Sequence, residues 1–146
     1  MIRKRTKYIF TSMAIFVLAG IAIGYYYFNK GPVDIRSGSA VSVEATALYE
    51  QFKKDSVNAL KDYAGKILLV TGEVSNITAN QQNEKIILLK TNTEGASVNC
   101  TMEQDPGSVK INERVSVKGV SAGIGQGDED LGIMADVYLT RCYLIK

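Results

Sequence analysis

Residues 66–77 read KILLVTGEVSNI, and residues 114–121 read RVSVKGVS. Apolar and polar residues alternate in both stretches, the period of a strand with one buried face. Leu68, Val70, Gly72 and Val74 share a face in the first; Val115, Val117 and Gly119 share one in the second. Each stretch therefore sets a glycine among its apolar residues. A glycine inside a strand marks a bend or a close approach of backbone. Small barrels need such bends to close on themselves.

Three further stretches complete the pattern. Residues 84–91 follow an Asn80–Asn83 turn, residues 97–102 align Val98, Cys100 and Met102, and residues 134–145 end the chain. A Pro106-Gly107 turn precedes the fourth strand and a glycine-rich loop, 123–132, follows it. Five short strands with turn signals between them predict a mainly β domain, a five-stranded barrel of the OB-fold arrangement. A helical period precedes the strands over 44–62, with Leu48 and Phe52 spaced i, i+4. Asp55 and Ser56 are placed to cap a second helical turn, and Gly65 to stop it. Tyr49, Phe52 and Tyr63 read as packing residues of this helix.

Towards the N-terminus the character changes. Residues 8–28 carry no charge, and Arg3, Lys4, Arg5 and Lys7 precede them. A helix of that length spans roughly 30 Å, the thickness of a bilayer's hydrocarbon core. The cation excess before the run predicts a cytoplasmic N-terminus and a domain outside the cytoplasm. The layout read from the sequence is a cytoplasmic basic segment, 1–7, a transmembrane helix, 8–28, a linker, 29–43, and an extracytoplasmic OB-fold domain, 44–146. Ala22-Ile-Gly24 would also suit signal peptidase, but the apolar run exceeds the usual signal-peptide core. Tyr25, Tyr26, Tyr27 and Phe28 read as an aromatic belt of a retained signal anchor. Gly20 and Gly24 form a GxxxG motif, read as ordinary glycine content of a membrane helix.

Charge then limits the partners. Residues 31–146 hold 12 Lys and Arg against 15 Asp and Glu. A mildly acidic domain is a poor match for nucleic acid, whose affinity comes mainly from cations on phosphates. Strands 84–91 and 97–102, where an OB-fold stacks bases, contain no aromatic residue. Histidine is absent, which removes the commonest general base and the commonest metal ligand. Asp128, Glu129 and Asp130 lie in the glycine-rich loop without the spacing of an EF-hand, and read as a solvated loop. No catalytic set, metal site or cofactor site is predicted. Asn76-x-Thr78 and Asn99-x-Thr101 fit glycosylation acceptors.

The run Tyr63-Ala-Gly65-Lys66, then Val70-x-Gly72-x-Val74, then Arg114-Val115-x-Val117-Lys118-Gly119, then Asp136-Val137-x-Leu139-x-x-Cys142 resembles the tRNA_anti-like family. The resemblance covers about residues 45–146. It implies an OB-fold protein, secreted or lipid-anchored, of a type found especially in Bacteroidetes, with no catalytic residues. The chain departs from the pattern at Asn112-Glu113, where Gly-Asp is common. It also carries an apolar helix where lipoprotein members carry an acylated cysteine.

The resulting expectation is a single-pass protein of the inner membrane whose periplasmic domain binds an envelope protein or an oligosaccharide. Its ligand is not named by the sequence, nor is its oligomeric state. A nucleic-acid-binding OB-fold domain is the alternative. Cys100 and Cys142 fall on the third and fifth strands, which pair in an OB-fold. An even cysteine count outside the cytoplasm suggests a disulfide between them, reached through a bulge near Thr140-Arg141. Two buried thiols packing as small hydrophobes are the alternative.

Overall fold

A computed structural model describes residues 2–29, 31 and 34–145. The chain forms two compact units, Met1–Val33 and Asp34–Lys146. Lys30 and Pro32, read as flank and linker, lie outside the described residues.

The first unit is one helix, α1 (Ile2–Asn29). Its segment Ser12–Asn29 is long and apolar enough to cross a membrane. The described side chains of α1 are exposed, and the set includes Phe16, Leu18, Ile21 and Phe28. A helix apolar on every side needs an apolar surrounding. A membrane anchor and a signal sequence both meet that description.

The second unit is a closed barrel. In chain order it contains β1 (Val41–Glu44), α2 (Ala45–Lys54), α3 (Ser56–Tyr63), β2 (Ile67–Ala79), β3 (Lys85–Lys90), β4 (Ser97–Met102), β5 (Arg114–Ile124) and β6 (Val137–Ile145). The sheet runs β1-β2-β3-β4-β6-β5, and β5 returns to pair with β2. The five strands β2, β3, β4, β6 and β5 thus form a ring, the OB-fold arrangement. All their pairings are antiparallel except β4 with β6, which is parallel.

Both glycines of the alternating stretches face inward, and each makes room for a specific neighbour. A Cβ on Gly72 would lie 2.9 Å from the Cβ of Ala45 and 3.3 Å from that of Leu89. A Cβ on Gly119 would lie 2.4 Å from the sulfur of Cys142. The first glycine admits the start of α2, and the second admits a side chain from the neighbouring strand. From α2, Leu48, Tyr49 and Phe52 are buried in the same core as Leu68, Val70, Leu89, Val98 and Val137. Phe52 meets Tyr63 with ring centroids 6.1 Å apart, which bears out the packing role of these rings.

Asp55 separates the two helices. Its carboxylate accepts the Asn58 backbone N–H at 3.0 Å and the Asn58 side-chain amide at 2.6 Å. The backbone bond first, and then the side-chain bond, hold the Asp55 carboxyl below the ordinary aspartate value of 3.8. A carboxylate that caps a helix stabilises the folded state only while ionised.

Two features differ from the sequence reading. The segment 41–44 is not linker and helix start but a strand, β1, which pairs in parallel with Leu68–Thr71 of β2. The stretch from 34 to 40 is fixed as well. Ile35 is 1% exposed, and a Cβ on Gly38 would lie 2.6 Å from Ile67 Cδ1. Asp34 Oδ1 accepts the Arg36 N–H at 3.0 Å, and Lys118 Nζ donates to the Arg36 carbonyl at 2.8 Å. The barrel unit therefore begins at Asp34, and the linker is shorter than the 29–43 read from composition.

Replacing Ile35 by Ala is expected to cost about 2–5 kcal/mol, as for other buried Ile truncations. Denaturant unfolding checks this; an unchanged midpoint would mean that 34–40 is a passive linker. For Asp55→Ala, the thermal midpoint by circular dichroism is expected to fall at pH 7. The folded pKa is depressed, so the cap acts above 3.8 and is lost as pH falls through the folded value. The deficit of the variant should therefore shrink in acid, and a deficit that persists undiminished there would contradict the cap.

Candidate ligand face of the barrel

On an OB-fold the middle strands and their flanking loops present the ligand surface. Here those strands are β3 and β4. Alternation along them turns Ile87, Leu89, Val98 and Cys100 inward and leaves Ile86, Leu88, Asn99 and Thr101 on the outer surface. Across the ladder, Ile86 lies opposite Thr101 and Leu88 opposite Asn99.

The parallel pairing of β4 with β6 then places Tyr138 beside Asn99. Val137 and Leu139 are fully buried, and Tyr138 between them is 40% exposed. An aromatic ring thus stands on the face, supplied by the fifth barrel strand and not by the two strands that lack one. The sequence reading missed it, although the inward phase of Val137 and Leu139 already turns Tyr138 outward.

Two loops border this surface. One is the turn after β2, where Asn80 Oδ1 accepts the N–H groups of Gln82 at 3.0 Å and Glu84 at 2.9 Å. Asn83 there adopts φ 62°. The other is the loop from β5 to β6. Gly125 in it donates its N–H to the Asp136 carbonyl at 2.9 Å. A Cβ on Gly125 would lie 2.7 Å from Tyr138 Cε2, so the absence of a side chain lets the loop run along the ring. Asp136 fastens this loop to β4, accepting from the Ser97 N–H at 2.8 Å and the Ser97 hydroxyl at 3.0 Å.

The acidic run in that loop is folded into the loop itself. Asp128 Oδ1 accepts the N–H groups of Asp130 at 3.1 Å and Leu131 at 3.3 Å, and Asp128 bridges Ile133. No group of metal-ligating side chains occurs among the described residues. Leu131 and Ile133 stand exposed at the loop. The face combines apolar, amide and hydroxyl side chains with one ring, a surface suited to binding by contact and hydrogen bonds.

The two cysteines meet inside the barrel. A bulge at Arg141, φ 52°, turns Cys142 inward, at the place near Thr140-Arg141 where the sequence reading expects one. The disulfide expected between Cys100 and Cys142 is not formed in the structure; both are free, buried thiols. Cys100 lies opposite Leu139, and Cys142 lies opposite Met102, so the two occupy diagonal positions of the strand pair. The Cys142 sulfur sits in the notch left by Gly119. Its hydrogen bond with Cys100, and then burial, push the Cys142 thiol far above its ordinary range, which disfavours the reactive thiolate.

The profile of the tRNA_anti-like family matches residues 2–129. The chain belongs to the tRNA_anti-like family. Among solved structures it is similar to an aspartyl-tRNA synthetase from Leishmania major Friedlin, at 10% identity over 81% of this chain, with a TM-score of 0.44. It is also similar to the aspartyl-tRNA synthetase from Entamoeba histolytica, at 11% identity over 75% of this chain, with a TM-score of 0.38. The chain spans 22% and 26% of the length of those two synthetases. No curated protein matches the sequence.

For the arrangement seen here, thiol tagging of the denatured protein without reductant is expected to add two tags per chain. Tagging that appears only after reduction would show instead that the bond forms in the cell and that Cys142 leaves the Gly119 notch.

Proposed function

We propose that this tRNA_anti-like protein is a membrane-anchored, non-catalytic binding module. Its barrel lies outside the cytoplasm and holds an envelope protein or an oligosaccharide on the β3-β4-β6 face. The observation that carries the reading is Tyr138, set beside Asn99 and backed by Gly125. An exposed ring next to amide and hydroxyl groups binds a sugar ring or a side chain by stacking and hydrogen bonding. The outer rows of the face, Ile86, Leu88, Asn99, Thr101 and Tyr138, hold no carboxylate, amine or thiol. The four cations before residue 8 support the orientation of α1, and the belt of Tyr25, Tyr26, Tyr27 and Phe28 supports its retention as an anchor.

The same ring is the observation in favour of a nucleic-acid-binding domain. Against that alternative stand the excess of acids in the barrel unit and Asp128 and Asp130 in the loop that borders the face.

A photo-crosslinking residue at position 138 in living cells tests the reading. A discrete adduct is expected there, and none from the same residue placed at exposed Lys61 of α3. Adducts of equal yield at both positions would count against the face. In a filter assay, salt-sensitive retention of single-stranded oligonucleotides that is lost in Tyr138→Ala would support the alternative.

A further inference from the structure

A second site lies further along β6, past the bulge. Arg36 and the loop after β4 line a half-open cavity of about 560 Å³ with the end of β6. Its walls include Met102, Pro106, Leu144 and Ile145, and Arg36, Gln104 and Tyr143 supply its polar rim. A cavity of this size falls in the range that takes small organic ligands.

Arg36 is held in place before any ligand arrives. Its guanidinium carbon lies 4.5 Å from the centroid of the Tyr143 ring, and its Nη2 donates to Gln104 Oε1. Its own backbone is fixed by Asp34 Oδ1 and by Lys118 Nζ, and its neighbour Ile35 is buried. Among the described residues no carboxylate lies within ion-pair distance of the Arg36 side chain. The one acid on the cavity wall, Asp105, is engaged by Lys85 Nζ at 2.9 Å. The cavity therefore offers an oriented guanidinium above an apolar wall, while the Asp34 carboxylate that feels its charge accepts from the Arg36 N–H and the Ser37 hydroxyl.

We propose that this cavity binds a small aliphatic carboxylate, its carboxylate on the free N–H groups of Arg36 and its chain along Met102, Pro106, Leu144 and Ile145. A planar guanidinium pairs with a carboxylate through parallel hydrogen bonds. The apolar wall suits an alkyl chain. This site is separate from the Tyr138 face and stands whether or not that face binds as proposed.

Saturation-transfer NMR on the full chain in nanodiscs tests the site with hexanoate as probe, and hexanol and hexylamine as controls. Hexanoate is expected to bind saturably, and the two controls at least about tenfold more weakly, the scale set by one charge-assisted hydrogen bond. Arg36→Gln should weaken hexanoate by the same factor, and Arg36→Lys, which keeps the charge without the planar fork, by less. Ile145→Glu leaves the 34–38 segment intact and introduces a competing carboxylate on the wall, so it should also abolish binding even if Arg36→Gln fails to fold. Equal binding of hexanol and hexanoate, or hexanoate binding retained in folded Arg36→Gln or Ile145→Glu, would overturn the proposal.

Discussion

Closure of the barrel depends on how one long strand is shared. β2 has 13 residues, more than one partner can use. Its first half, Ile67–Glu73, pairs with β5, and its second half, Val74–Ala79, pairs with β3. Val74 sits at the changeover. Its N–H donates to the Glu113 carbonyl at 2.9 Å, and its carbonyl accepts the Asn112 N–H at 2.8 Å, while its side chain is fully buried and it pairs with Leu89. The strand passes from one neighbour to the other without leaving its backbone groups unpaired in the interior, where each would be costly. A register shift between Val74 and Asn76 absorbs the change of direction.

The divergence of β3 from β2 has a second consequence. Where β3 departs, β2 would present an open edge, and edges are sites of unwanted pairing. β1 covers that edge over Leu68–Thr71, and the chain then turns directly into α2 at Ala45. Glu44, the last residue of β1, receives Arg114 of β5 at 2.7 and 2.8 Å. This pair is exposed, so its net energy is small, but it marks how closely the end of β1 approaches the start of β5. Gly72 is then explained by location: it stands where the first residue of α2 meets the wall of the barrel. Leu48 and Phe52 fill the interior beyond it.

Most of the barrel was legible because its signals are local. The alternation of Leu68, Val70, Gly72 and Val74 survives in the structure as alternate buried positions. The left-handed residues Gly65, Asn83, Gly107 and Asn112 fall at helix end and turns, where short-range chemistry places them. What escaped depends on distant chain. Val41-Ser-Val-Glu44 is too short to show a period of its own, and it abuts a helical pattern that absorbs it. Ile35 is one apolar residue among Asp34, Arg36, Ser37 and Gly38, and a single residue has no periodicity. Tyr138 becomes part of the face only through pairing with a strand some forty positions earlier. The cavity at Arg36 needs three separate segments, and nothing in any one of them announces it.

The bulge at Arg141 links these parts. Before it, Tyr138 and Thr140 point outward and Leu139 inward; after it, Cys142 is inward and Tyr143 lies on the outer side with Ile145. A strand shifted by one residue exchanges its two faces. Without the extra residue, Cys142 would leave the Gly119 notch for solvent, and Tyr143 would be driven into a core that has room for a sulfur, not a ring. The irregularity therefore does two things at once. It matches a small inward side chain to Gly119, an inward position on β5 that lacks a Cβ. It also keeps a second aromatic ring on the surface, past the first, where Arg36 lies against it. One barrel strand thereby carries two rings on its outer side, Tyr138 beside the middle strands and Tyr143 beneath the segment that leads into the barrel. The two surfaces are separated by the backbone feature that makes both possible.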